Sequence, residues 1–145
     1  MLVQARFLRV IAYFLLLVSG IYFFILVPSS MPMLIEMTPS LAPLKSVVLF
    51  AHFFTAVPVF FTLYALVDIA NHMEDVEGTA TMIRYMQHAL LVIAITHACL
   101  LLKLRQEDVM QPVIFIVIGS SFFFLFAFFM SSWQWRIQLQ KKLAK

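Results

Sequence analysis

Four runs of about twenty apolar residues, each almost free of charge at its centre, constrain this chain more than any other feature. They cover about residues 7–27, 44–70, 83–104 and 113–132. At ~1.5 Å of rise per residue, such a run crosses the ~30 Å hydrocarbon core of a bilayer as a helix. Composition agrees. Of the 145 residues, 63% are hydrophobic and 12% charged, against about 45–50% and about 25% in soluble domains. A soluble fold of this size would expose large apolar patches. The expected fold is all-α: one four-helix transmembrane bundle over residues 1–145.

The segments between the runs refine that expectation. Arg6 and Arg9 flank the first run, which stays apolar to Val27. A secretory signal has a shorter apolar core and a small-residue cleavage site, so the run reads as a retained helix. Pro28, Pro32, Pro39 and Pro43 predict a loop over residues 28–43, lying on the membrane surface because it carries Met31, Met33, Leu34, Ile35 and Met37. Pro58 predicts a kink or local unwinding of the second helix, with the Thr55 hydroxyl making up part of the lost hydrogen bonding. Residues 71–80 read as a polar, acidic loop, with Thr79 or Thr81 capping the third helix. After the fourth run, Trp133, Trp135, Arg136, Lys141 and Lys142 form a C-terminal interfacial amphipathic segment, aromatic rings at headgroup level and cations towards anionic lipid.

Cation asymmetry sets the expected orientation. An inside N-terminus places Arg6, Arg9, Arg84, Arg136, Lys141, Lys142 and Lys145 on the cytoplasmic side, and Lys45, Lys103 and Arg105 outside. The positive-inside rule then puts both termini in the cytoplasm of a plasma (inner) membrane protein.

Several chemistries find no footing. The single cysteine, Cys99, permits neither an intramolecular disulfide nor a CxxC motif. The three glycines make no phosphate-binding loop, and no nucleophile can be grouped with a base and an orienting partner. No Asp, Glu, Lys or Arg stands at the centre of a span. Transporters and proton pumps keep such residues there despite a cost of about 2.5–3.5 kcal/mol or more. No catalytic residue, metal site or direct nucleic-acid contact is expected, and the chain reads as a non-enzyme.

Two polar groupings remain. His52 and His97 each lie about eight residues from the outer end of antiparallel helices, so they share a depth, as a bis-histidine haem b would require. The plainer reading is a neutral pair bonded across the bundle, with Thr55 and Thr96 as polar neighbours. His72 and His88 point to the opposite helix faces, so a stacked pair of haems is not expected. Asp68, Glu74, Asp75 and Glu77 form either a solvated loop or a cytoplasmic docking surface, and their spacing is not that of a calcium loop. Glu107 and Asp108 read as a plain turn, and Gly119, Ser120 and Ser121 as a patch for close helix packing.

The stretch FTAVPVFFTLYALVDIA, residues 54–70, resembles the second-helix signature of small bacterial four-span proteins in the domain-of-unknown-function family 2975. The likeness rests on Val57, Pro58, Phe60, Leu63 and Tyr64. It extends in character to the opening RFLRVIAYFLLL and the run ending ILVP. The chain departs from the family pattern in its acidic loop between the second and third spans. The resemblance implies a multi-pass membrane protein without known activity, and a partnership with a small helix-turn-helix regulator. The expected function is that of an interaction partner: a membrane tether for a regulator, or an immunity-type protein. A single-haem electron-transfer subunit using His52 and His97, or an accessory subunit of a larger membrane complex, stands as the alternative.

Overall fold

The computed structural model describes residues 2–144, with side chains from residue 5 onward. Five α-helices follow one another: α1 (Leu2–Ile21), α2 (Val27–Met37), α3 (Lys45–Asn71), α4 (Val76–Gln106) and α5 (Met110–Leu143). A π-helical turn, Tyr22–Leu26, joins α1 to α2 without a break, and a 3-10 turn, Pro39–Leu44, leads into α3. Among the described residues there is no strand. Four stretches are long and apolar enough to cross a membrane: Ala5–Met37, Pro39–Asn71, Val76–Gln106 and Met110–Leu143. The all-α four-helix bundle expected from the sequence is the architecture that forms.

The helices are longer than the apolar runs. The 34 residues of α5 reach about 51 Å at the usual rise, well beyond a hydrocarbon core of ~30 Å. Residues 133–143 therefore continue the helix of the fourth span beyond the length that a hydrocarbon core requires. Gln134 and Gln138 lie on its buried face, while Trp133 and Arg136 are exposed.

Residues 28–43 differ from the expectation. They are not a loop but α2 and the 3-10 turn. Pro28 occupies the first turn of α2, directly after the π turn. Met31 is fully buried against Leu41 and Leu44, so this extension caps one end of the core. Met33 and Met37 are left exposed.

At Pro58 helix α3 runs on unbroken, so of the two outcomes expected there, kink or local unwinding, the unwinding does not occur. Proline deprives the Phe54 carbonyl of its usual donor, yet the Thr55 hydroxyl does not replace it. That hydroxyl donates to Ala51 O at 2.8 Å, and Thr62 donates to Val59 O at 2.7 Å. Pro58 is buried within the most enclosed helix, and packing on several sides holds it in place.

Helix α3 is the axis of the bundle, packing against α1, α4 and α5. Ala51, Ala56, Ala65 and Ala70 on its buried surface admit close neighbours, the usual basis of helix association where lipid removes the hydrophobic drive. Long-range polar contacts fix which ends meet. Arg9 Nε donates to Ala70 O at 3.2 Å, and Gln138 Nε2 to Met73 O at 2.9 Å. The start of α1, the α3–α4 loop and the end of α5 thus share one end, here called the polar end, towards which Arg6, Arg9, Arg84, Arg136, Lys141 and Lys142 lie. The opposite end holds Lys45, Lys103 and Arg105, beside the cluster of Leu44, Leu104 and Val109.

Candidate functional sites

The π-helical turn explains the first polar grouping. In a π turn each carbonyl bonds five residues ahead instead of four. Accordingly the Val27 N–H donates to Tyr22 O. Phe23 O has lost that donor to its neighbour, and five residues beyond Phe23 stands Pro28, which has no N–H to give. A buried carbonyl without a partner costs about 1–3 kcal/mol. His52 supplies the missing donor: its Nε2 lies 3.1 Å from Phe23 O. The Phe23 ring stacks on the imidazole with centroids 4.7 Å apart.

Because a carbonyl can only accept, His52 must carry its proton on Nε2. Its Nδ1 then holds a lone pair, and that atom is buried without a protein partner.

His97 sits in a different set of contacts. Its Nε2 lies 3.4 Å from Thr55 Oγ1 and 3.3 Å from Ser120 Oγ. Both hydroxyls already donate to carbonyls, Thr55 to Ala51 O and Ser120 to Ile116 O, each at 2.8 Å. They can only accept from the ring. His97 is therefore also protonated on Nε2, and its Nδ1 accepts from Ser121 Oγ at 3.3 Å. The two histidines do not bond each other, and Thr96 takes no part: it is half-buried and donates to Val92 O of its own helix. Each ring thus bonds across the bundle through its own partners.

Sequence reasoning missed most of these partners. Tyr22 spans the bundle to donate to Ile116 O at 2.7 Å. Gly119 makes that possible, since a β-carbon there would collide with the Tyr22 phenol. The small patch at 119–121 is thus a seat for Tyr22 and the donor to His97 as well as a packing surface.

The second grouping is at the polar end. Asp75, not Thr79 or Thr81, caps α4, its Oδ1 accepting from Gly78 N at 2.8 Å. A β-carbon at 78 would strike that carboxylate, so glycine keeps the cap free. Thr79 and Thr81 lie inside the helix and donate back to Asp75 O and Glu77 O. Helix α4 accordingly begins at Val76, and only four residues remain between α3 and α4.

A cleft of about 560 Å³ opens between this loop and the end of α5, lined by Glu74, Asp75, Glu77, Gln138, Lys141 and Lys142 among others. Lys142 Nζ approaches Glu77 Oε1 at 3.8 Å across it. Asp68 stands apart, its carboxylate 3.2 Å from the ring of His72, the residue that ends its helix. At the opposite end Glu107 is held by Lys103 at 2.8 Å, and Asp108 closes the turn with a left-handed backbone. His88, exposed, turns its Nδ1 to Arg84 O at 2.8 Å. Among the described residues no group of three His, Cys, Asp or Glu side chains is placed to hold a metal ion.

Fold and sites together define a class: a four-helix protein of membrane-spanning length, with a polar layer locked inside it and a charged cleft at one end. Beyond that class, comparison with family models, curated proteins and solved structures finds no match.

Proposed function

We propose that this chain is a non-enzymatic multi-pass membrane protein that acts by interaction at its polar end, as the membrane tether of a small soluble regulator. The cleft at residues 73–77 and 138–144 carries this reading. It is where charged side chains of three segments converge, while the polar groups inside the spans are largely bonded to one another. Glu74, Asp75 and Glu77 are exposed there, on the short loop between α3 and α4 and in the first turn of α4. The resemblance at Val57–Tyr64 supports the same partnership.

The tether reading places both termini in the cytoplasm of a plasma (inner) membrane. Six described cations at the polar end against three at the other support that orientation. The polar layer is structural in this reading, without haem. Bis-histidine ligation through Nε2 would require both imidazoles to surrender that proton, His52 to abandon Phe23 O and His97 to abandon Thr55 and Ser120.

Three measurements test the proposal. In a background lacking Cys99, a cysteine at Glu77 is expected to be blocked from membrane-impermeant reagents in intact cells, and one at Ser40 to react. Labelling at 77 from outside would reverse the orientation. Crosslinking from position 74 in native membranes is expected to capture a soluble DNA-binding protein, and Glu74→Lys with Glu77→Lys to abolish the capture. Crosslinks confined to other membrane subunits would favour the accessory-subunit reading. A Soret band in the purified protein, removed by His52→Ala or His97→Ala, would replace the tether reading with electron transfer.

A further inference from the structure

Three hydroxyl oxygens from two neighbouring helices surround the ring of His97 in α4. Thr55 Oγ1 of α3 and Ser120 Oγ of α5 lie 3.4 Å and 3.3 Å from Nε2. Ser121 Oγ of α5 lies 3.3 Å from Nδ1. Thr55 and Ser120 give their own protons to Ala51 O and Ile116 O, so each turns a lone pair to the Nε2–H. The Ser121 hydroxyl donates to Nδ1 while the ring is neutral. Turned about its Cβ–Oγ bond, with the oxygen in place, it accepts from an Nδ1–H instead. A second proton on this ring therefore finds an acceptor already in position.

His52 offers no such place. Its Nε2–H is committed to Phe23 O, its Nδ1 is buried without a partner, and the Phe23 ring covers its face. A proton added at that Nδ1 would be a bare donor on a charged ring, and a buried charged group left unpaired costs more than a neutral one. Charge inside a membrane is expensive, so the ring that bears it must have both nitrogens bonded. Only His97 meets that condition.

No fixed charge overrides these hydrogen bonds. Asp, Glu, Lys and Arg are absent from residues 46–67 of α3, 85–102 of α4, 111–135 of α5 and 10–35 of the first span. His52 is the neighbour close enough to act on His97 by its charge, so a proton on one opposes a proton on the other. Tyr22 keeps its proton in the bond to Ile116 O. On α4 itself, Cys99 is exposed, and His88 is exposed and turned to Arg84 O.

We infer that His97 is a proton-binding site set inside the membrane-spanning bundle. It takes one proton from water at Nδ1, becoming an imidazolium held by Thr55, Ser120 and Ser121, while His52 stays neutral. The bundle thereby carries a single charge that follows the acidity of the medium. Because hydrogen bonds to a charged ring are the stronger kind, proton uptake tightens α4 against α3 and α5. The inference goes beyond the tether reading and does not depend on it.

The test uses the full chain, labelled with ¹⁵N-histidine and reconstituted in lipid bilayers, in a background of His72→Gln and His88→Gln. Both of those rings are exposed, and their loss leaves two signals, which His97→Asn assigns. Solid-state NMR follows them from about pH 8 to about pH 4, across the usual histidine range. At the upper end both rings are expected neutral and protonated on Nε2. On acidification His97 is expected to become an imidazolium in the folded bundle while His52 keeps its neutral form. Ser121→Ala is expected to lower the His97 midpoint by about one pH unit, a tenfold loss of proton affinity. That is the margin by which a hydrogen bond to a charged group exceeds one to a neutral group. Ser121→Thr, which keeps the hydroxyl, is expected to keep the midpoint. His52 charging before His97 or together with it overturns the inference. So does unfolding of the bundle before either ring charges, and so does a midpoint that Ser121→Ala leaves unchanged. The order of charging is read with the hydroxyl cradle intact, so the inference stays testable if a Ser121 variant does not fold.

Discussion

The imidazole of His52 in α3 stands in for a main-chain donor that Phe23 lacks, its Nε2 3.1 Å from the Phe23 carbonyl. The chain of cause begins with Pro28. The π turn hands the Val27 N–H to Tyr22, proline offers none, and a side chain 29 residues away completes the bonding.

That relationship predicts coupling between His52 and Pro28. His52→Leu should lower stability by about 1–3 kcal/mol, because it strands a buried carbonyl. Pro28→Ala restores an N–H at the position the π turn can use, so in that background His52→Leu should cost less, by about 0.5 kcal/mol or more. A double-mutant cycle from reversible unfolding in mixed micelles measures the difference. Strictly additive costs would mean that His52 is not replacing the donor that proline removes.

The Tyr22 ring and Gly119 give a second expectation. Alanine at 119 would drive a methyl group into the phenol, and overpacking of this kind costs about 1–3 kcal/mol. Gly119→Ala should therefore destabilise, and Tyr22→Phe should recover part of the loss, since the hydroxyl is the atom closest to the intruding carbon. The unfolding midpoints of the two single variants and the double variant decide it. A double variant no better than Gly119→Ala alone would place the clash elsewhere.

How much of this was legible beforehand follows a physical division. The apolar runs announced the four spans because lipid leaves no other way to satisfy the backbone, and the depth match of His52 with His97 followed from counting residues along antiparallel helices. What the runs did not disclose is where each helix stops. Pro28 and Pro32 read as loop residues, yet the π turn and the extra helix that carries Met31 absorb them. The extent of α4 at its start was hidden because Asp75, three residues before Gly78, was read as part of an acidic patch rather than as a cap. The partners of the histidines were invisible for a different reason. Ser120, Ser121 and the Phe23 carbonyl belong to other helices, and which faces meet depends on rotations that periodicity in a uniformly apolar helix does not encode.

The opposite-end turn yields a smaller effect. Asp108 adopts φ 57°, a left-handed conformation that glycine takes without strain. Lys103 holds Glu107 rather than Asp108, so the charge at 108 is free to be removed. Asp108→Gly should be neutral to stabilising by up to about 1 kcal/mol, whereas Asp108→Val should destabilise, because a branched β-carbon is strained there. Thermal unfolding of both variants, compared with the parent, checks the order. Valine proving as stable as glycine would show that the turn relaxes out of this conformation.

The last expectation concerns Asp75 and Gly78, whose effects should depend on each other. Glycine is a poor helix residue, so alanine at an exposed first-turn position ordinarily gains up to about 1 kcal/mol. At 78 the added carbon would meet the Asp75 carboxylate that the Gly78 N–H now binds at 2.8 Å. The carboxylate must swing away, and the cap, worth about 1 kcal/mol, is lost. The two effects offset, so Gly78→Ala alone should change stability little or lower it. Asp75→Ala removes the cap and also the obstacle. In that background Gly78→Ala should regain its ordinary advantage and stabilise by about 0.5–1 kcal/mol. The same substitution thus changes from neutral or harmful to favourable according to a residue three positions earlier. Unfolding free energies of the parent, both single variants and the double variant measure it. If alanine at 78 stabilises equally with Asp75 present, the carboxylate does not sit over the start of α4, and the acidic loop must be held by something other than this cap.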